Sequence, residues 1–158
     1  MKLKSWQVKW MLRIFPPLLF SRVWLKSVAK DFKSCEVYVT PSLLNRNLQR
    51  TVFGGTLFSA FDPFHAILFW QYFAQRGHRL EAWLKSAEVS YKKPVNSRVR
   101  IHFELDDQSL AEAEAALASE GRFQKWMVAQ AIDRSGDLCV EARLLVYLRN
   151  FKGHSANF

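Results

Sequence analysis

The chain has 158 residues, of which 49% are apolar, with 13 Phe and 6 Trp. That is long enough for one domain with a core of its own, and too apolar for a disordered segment. Net charge is +9 and unevenly spread: residues 1–33 hold eight Lys/Arg against Asp31 alone (+7), and the remainder holds 15 basic against 13 acidic groups (+2). Basic and aromatic residues interleave without any recognition motif, so nucleic-acid binding is not expected.

Residues 1–33 read as a basic helical arm packed on the domain. A signal peptide needs an unbroken apolar run and a small-residue cleavage site. Arg13, Arg22 and the Pro16-Pro17 pair interrupt any such run, and two short helices split at the prolines fit better. Arg22, Lys26 and Lys30 recur every four residues, a spacing that predicts one shared helix face, with Leu19, Val23, Trp24 and Val28 on another. The basic face reads either as simply solvated or as a contact for an anionic membrane surface or an acidic partner.

The body, residues 34–150, alternates between two periodicities. "CEVYVT" (35–40), "KSAEVSYKKPV" (85–95) and "RVRIHFEL" (98–105) repeat every second residue and predict strands. "SLAEAEAALASEG" (109–121) predicts a helix with a Ser109/Glu112 capping box and a stop at Gly121. "RFQKWMVAQAID" (122–133) and "LCVEARLLVYLR" (138–149) predict two long strands, joined by an "RSGD" hairpin turn. Residues 151–158 read as a frayed polar tail.

Between the first and second strands, the stretch after Arg50 as far as Gln75 has one charge, Asp62, followed by Pro63. Asp62, Pro63, His65, Gln71 and Gln75 argue against a bilayer span. A helix apolar on nearly every face is then buried by the protein itself, and a curved antiparallel sheet wrapped round it supplies that burial. The class expected is α+β.

Cys35 and Cys139 have no metal-ligand spacing, and two lone thiols suit a reducing compartment such as the cytoplasm better than a disulfide. His65, His78, His102 and His154 form no zinc pair and read as surface or satisfied residues. There is no G-x-S-x-G, P-loop or dinucleotide fingerprint, which argues against an α/β serine hydrolase and against nucleotide chemistry of those types. No metal or cofactor is expected.

The layout, and the text of residues 45–63, resemble the hotdog-fold acyl-CoA thioesterases. Many of these carry Asn, then His-Gly-Gly six residues on, then Asp seven after the second Gly. Here Asn47, Phe53-Gly54-Gly55 and Asp62 stand at that spacing, and the pattern Asn-x5-Phe-Gly-Gly-x6-Asp is similar to a poorly characterised bacterial subfamily. "KSAEVSYKKPV" and "VAQAIDRSGDLCVEARLLVYL" resemble that family's second strand and closing hairpin. The resemblance implies hydrolysis of a fatty or aryl acyl-CoA, with acyl-CoA as substrate rather than cofactor. It implies a homodimer, extendable to a tetramer, with two equivalent interface sites. Asp62 would be general base or nucleophile, Asn47 a positioning residue, and the N–H of Gly55, with Gly54, the oxyanion donor. Phe53, Phe58, Ser59, Phe61, Phe64 and Trp70 would line the acyl pocket. Lys92 and Arg98, with Lys93 and Arg100, would meet the CoA phosphates.

The residues themselves leave alternatives open. Asp-Pro is also a common helix start, so Asp62 reads equally as an N-cap. Asn47 reads equally as a turn residue. Phe53 stands where the related enzymes usually have His and cannot donate a hydrogen bond, and Arg50 stands where they often have Gly. A non-catalytic module that binds an acyl thioester or lipid is therefore the second reading. A hotdog dehydratase would need the His that the motif lacks.

Overall fold

A computed structural model describes residues 1–151 of the chain. Its elements run α1 (Ser5–Ile14), α2 (Pro16–Phe20), β1 (Val23–Val28), β2 (Ser34–Val39), α3 (Gly54–Ser59), α4 (Phe64–Gln75), β3 (Leu80–Tyr91), β4 (Val99–Glu104), α5 (Asp107–Ser119), β5 (Arg122–Ile132) and β6 (Leu138–Asn150). The six strands form one sheet in the order β1-β2-β4-β5-β6-β3, each neighbouring pair antiparallel. The sheet curves round α4, the apolar rod expected from the sequence. Phe64, Leu68, Phe69 and Phe73 are almost wholly removed from water, as are Val37, Ile101, Phe103, Leu144 and Leu148 facing them from the strands. Burial of this kind contributes roughly 1.5–3 kcal/mol per large side chain. No helix among the described residues is long and apolar enough to cross a membrane.

Three sequence expectations need correction. The arm is not helical to residue 33. Arg22 takes a left-handed conformation (φ 57°), and Val23–Val28 form an edge strand paired with β2. The spacing of Arg22, Lys26 and Lys30 therefore does not describe a helix face. Val23 and Leu25 are buried with period two, a pattern that pairing with β2 selects over the helical one. Second, the apolar stretch is two helices with a turn at 60–63, as Pro63 lacks the N–H a continuous helix needs. Third, α5 is capped by Asp106, whose carboxylate accepts from the Ser109 N–H (2.6 Å) and hydroxyl (2.8 Å), while Glu112 pairs with Lys125. β6 closes the body at Asn150, opposite Leu80, and the tail beyond Phe151 falls outside the described residues.

The arm is tied down by polar groups that looked out of place in the apolar segment. Gln71 is fully buried; its side-chain oxygen accepts from the Leu3 N–H (2.9 Å), and its amide donates to the Met1 carbonyl (3.3 Å). The Gln75 amide donates to the Leu3 carbonyl (2.7 Å). At the other end of α1, the Arg13 guanidinium donates to the carbonyls of Leu25 (2.8 Å) and Lys26 (3.3 Å) on β1 and lies over the rings of Trp10 and Trp24. A sheet edge is a template for unwanted pairing, and a charged side chain across it blocks that. The opposite edge, β3, is twelve residues long and has no strand on its outer side among the described residues.

Candidate active site

Residues 40–53 bring the motif pieces together. Asn45 is buried and spends its side chain on the backbone: the oxygen accepts from the Ser42 N–H (2.8 Å), and the amide donates to the carbonyls of Ser21 (2.9 Å) and Thr40 (3.0 Å). The loop then doubles back through an Arg46–Val52 bridge. Arg50 sits at the tip with φ 62°, a left-handed conformation that costs a non-glycine residue about 1–2 kcal/mol. The Phe53 N–H donates to the Asn45 carbonyl and the Val52 N–H to the Val95 carbonyl. "NRN", "FGG" and "KKPV" therefore converge, although they are separated by up to fifty residues in the chain.

Asn47 is engaged inside this loop. Its amide donates to the Thr51 hydroxyl (2.9 Å), and its oxygen accepts from the Thr51 N–H (3.0 Å). That is a turn-holding role. Beside it opens a cleft of about 300 Å³ lined by Asn47, Thr51, Gly54, Leu57, Tyr91 and Lys92, among others. Gly54 and Gly55 begin α3. The first intrahelical bond is from the Leu57 N–H to the Phe53 carbonyl, so the N–H groups of Gly54, Gly55 and Thr56 have no helical acceptor. The glycines are needed for space. A β-carbon on Gly54 would come within 3.3 Å of the Tyr91 hydroxyl, and one on Gly55 would lie 2.4 Å from the Phe53 ring. The Ser59 hydroxyl donates to the Gly55 carbonyl (2.9 Å), one turn back along α3.

Tyr91 is a site residue that sequence reasoning missed. Its hydroxyl donates to the Gly54 carbonyl (3.0 Å), joining the end of β3 to the start of α3. Partial burial raises its phenol above the ordinary range. Only its position before Lys-Lys-Pro hinted at a role, because the contact depends on sheet curvature.

Asp62 lies in the turn between α3 and α4. The residue at the N-cap position of α4 is Pro63, and no side chain caps the helix. Asp62 forms no ion pair and no side-chain hydrogen bond among the described residues, so the capping alternative fails. It is exposed in the single chain, yet partial desolvation by its surroundings pushes its carboxyl upward. It lines none of the clefts described here. Asp62 stands seven residues after Gly55, in the turn that follows α3.

The remaining expected residues divide. Phe53 and Phe58 are exposed and available to a ligand. Phe61 and Phe64 are fully buried against Phe103 and belong to the core, with ring centroids 6.4 and 5.1 Å from it, so neither lines a pocket. Trp70 joins Ala66, Ile67, Leu80 and Ala82 in a groove of about 430 Å³ between α4 and β3. Lys92 is exposed beside the Gly54 cleft. Lys93 is taken up by Asp133 and Asp137, and Arg100 by Glu36. Arg98 stacks on Tyr38 and lines a different cleft, so it does not join Lys92. His65, read from sequence as surface or satisfied, is neither: it is buried beside Phe103 and both ring nitrogens lack a partner. Among the described residues no three His, Cys, Asp or Glu side chains form a metal-ligating group.

The curved sheet round α4 defines the hotdog class, and solved structures share it. The Pseudomonas aeruginosa protein PA5026, described as a protein of unknown function and probable thioesterase, superimposes with a TM-score of 0.84 at 17% identity, covering 96% of this chain and 99% of that one. The Haemophilus influenzae thioesterase HI1161 gives 0.71 at 9% identity, covering 99% and 97%. The Escherichia coli PaaI protein, from the phenylacetic acid degradation operon, gives 0.65 at 13% identity, covering 94% of each. No curated protein matches the sequence. The chain belongs to the family described as Domain of unknown function (DUF4442), which matches residues 4–148.

Proposed function

We propose that the chain hydrolyses an acyl-CoA thioester at a site shared by two copies related by a two-fold axis. The observation that carries this is Asp62: a carboxylate with no ion pair or side-chain hydrogen bond among the described residues, held at a helix junction and pushed upward by partial desolvation toward the proton affinity that base chemistry uses. The second subunit enters through the resemblance of the Asn47, Gly55 and Asp62 spacing to enzymes whose site lies at a dimer interface. The free β3 edge offers the place to join, since the β1 edge is strapped by Arg13.

In this reading the thioester carbonyl of one site lies at the Gly55 N–H of one subunit and faces the partner's copy of the Asp62 carboxylate. The carboxylate takes a proton from water as the water oxygen bonds to the carbonyl carbon. The N–H accommodates the charge that develops on oxygen, an effect worth about 3–4 kcal/mol where one strong donor is removed. Collapse breaks the C–S bond, and the CoA thiolate leaves with the proton returned by the carboxyl group. Ala66 and Trp70, on the helix that follows Asp62, line the groove beside β3 together with Ile67 and Leu80, and this part of its wall supports an apolar acyl group, while His78, Arg79 and Glu81 line the rest. Lys92, which lines the cleft beside Gly54, would meet a CoA phosphate.

One observation favours the non-catalytic reading instead. The Phe53 ring lies against Gly55, where the related enzymes carry a hydrogen-bonding side chain. The test is hydrolysis of an acyl-CoA panel by wild type and Asp62→Asn. Turnover reduced about 10²–10⁴-fold by the substitution supports the hydrolase. Background turnover in both, with acyl-CoA still bound, establishes the binding module, and a monomer in solution scattering refutes the shared site.

A further inference from the structure

We infer that the N-terminal arm is a docking surface for an anionic lipid bilayer. On α1, Val8 and Leu12 face the domain and are buried, while Trp6, Trp10 and Ile14, spaced by four residues, face the opposite way and are each more than half exposed. The ridge continues through Phe15 and Phe20 (67% exposed) at α2 and reaches Trp24 on β1, linked by the Arg13 guanidinium stacked on both Trp10 and Trp24. A helix packed on a domain normally turns polar residues outward, and this one is apolar on both sides.

Charge selects the occupant. The first 28 residues contain six Lys/Arg and no acid. A second copy docked through the same patch would place like charge against like charge across a two-fold axis. An anionic bilayer complements it. Indole rings with an apolar body and one N–H suit the headgroup boundary, and Lys and Arg keep their charged ends among lipid phosphates. Apolar insertion and electrostatic attraction together supply the two contributions that stable, reversible surface binding needs. The arm is also held rigidly, by Gln71 and Gln75 at one end and Arg13 at the other, so little ordering cost falls on binding. This surface is separate from the Asp62 and Gly55 motif, and the inference stands whether or not the chain is a hydrolase.

The experiment is sedimentation of the full chain with phosphatidylcholine vesicles, with and without phosphatidylserine. Binding is expected only with the anionic lipid and is expected to weaken as salt rises. Lys4, Lys9 and Arg22 form no ion pair among the described residues, so replacing each with Ala leaves the fold intact. Each replacement should lower partitioning roughly fivefold, the equivalent of about 1 kcal/mol per cation near a charged surface. Trp6→Ser with Phe20→Ser should lower it further while leaving the melting temperature unchanged. Absence of binding, equal binding to both vesicle types, or indifference to both sets of replacements overturns the inference. So does an oligomer that falls apart when Trp6 and Phe20 are replaced, since the patch would then be covered by another copy.

Discussion

His65→Leu is expected to stabilise the protein, and by more in acid than at neutrality. Both ring nitrogens are buried without partners, and leaving such groups unsatisfied costs about 1–3 kcal/mol whatever the pH. Leucine fills a similar volume with no polar atom. Titration adds a second effect. Burial lowers the ring's pKa to about 4, from an ordinary value near 6.5. A depressed base contributes its stability above the unfolded value and loses it as pH falls toward the folded one. Withholding the proton costs about 2 kcal/mol near pH 5 and about 0.2 kcal/mol near pH 7. Going from pH 7 to pH 5, the wild type should therefore lose about 2 kcal/mol that His65→Leu keeps. For a chain of this size that is roughly 4–8 °C in melting temperature. Thermal melts of both proteins at the two pH values, at one protein concentration, read it directly. Parallel shifts would show that the ring is not withholding a proton, and the reasoning from its burial would be wrong.

Asp62→Asn should remove activity while leaving the melting temperature unchanged or slightly raised near neutral pH. A raised carboxyl contributes stability only below its unfolded pKa and loses it as pH rises through the folded value, so the charged form is the unfavourable one. Gly55→Ala should destabilise the chain and lower turnover, because its β-carbon meets the Phe53 ring at 2.4 Å. In a Phe53→Ala background the same change should cost less stability, a coupling that a double-mutant thermal-denaturation cycle measures. Arg13→Ala removes two hydrogen bonds to the β1 backbone and two ring contacts, with an expected loss of about 1–3 kcal/mol. It also uncovers that sheet edge, so light scattering on heating should rise earlier than in wild type.

The alternation of "RVRIHFEL" and the two long strands around "RSGD" needed only local pattern, because a half-buried strand writes its two faces into every second residue. The buried rod was legible from its lack of charge, since nothing but the protein's own sheet could cover it. The spacing of Asn47, Gly55 and Asp62 was visible too, but spacing along a chain does not say what a side chain touches. Only the folded chain showed Asn47 bound to Thr51, Phe61 in the core against Phe103, Tyr91 reaching the Gly54 carbonyl and His65 without a partner. Residues 23–28 suited a helix locally and became an edge strand because β2 offered a ladder of unpaired backbone groups. Periodicity records which faces are apolar. Pairing partners, clefts and strained turns come from contacts between residues far apart in sequence, and those exist only once the sheet has closed round its helix.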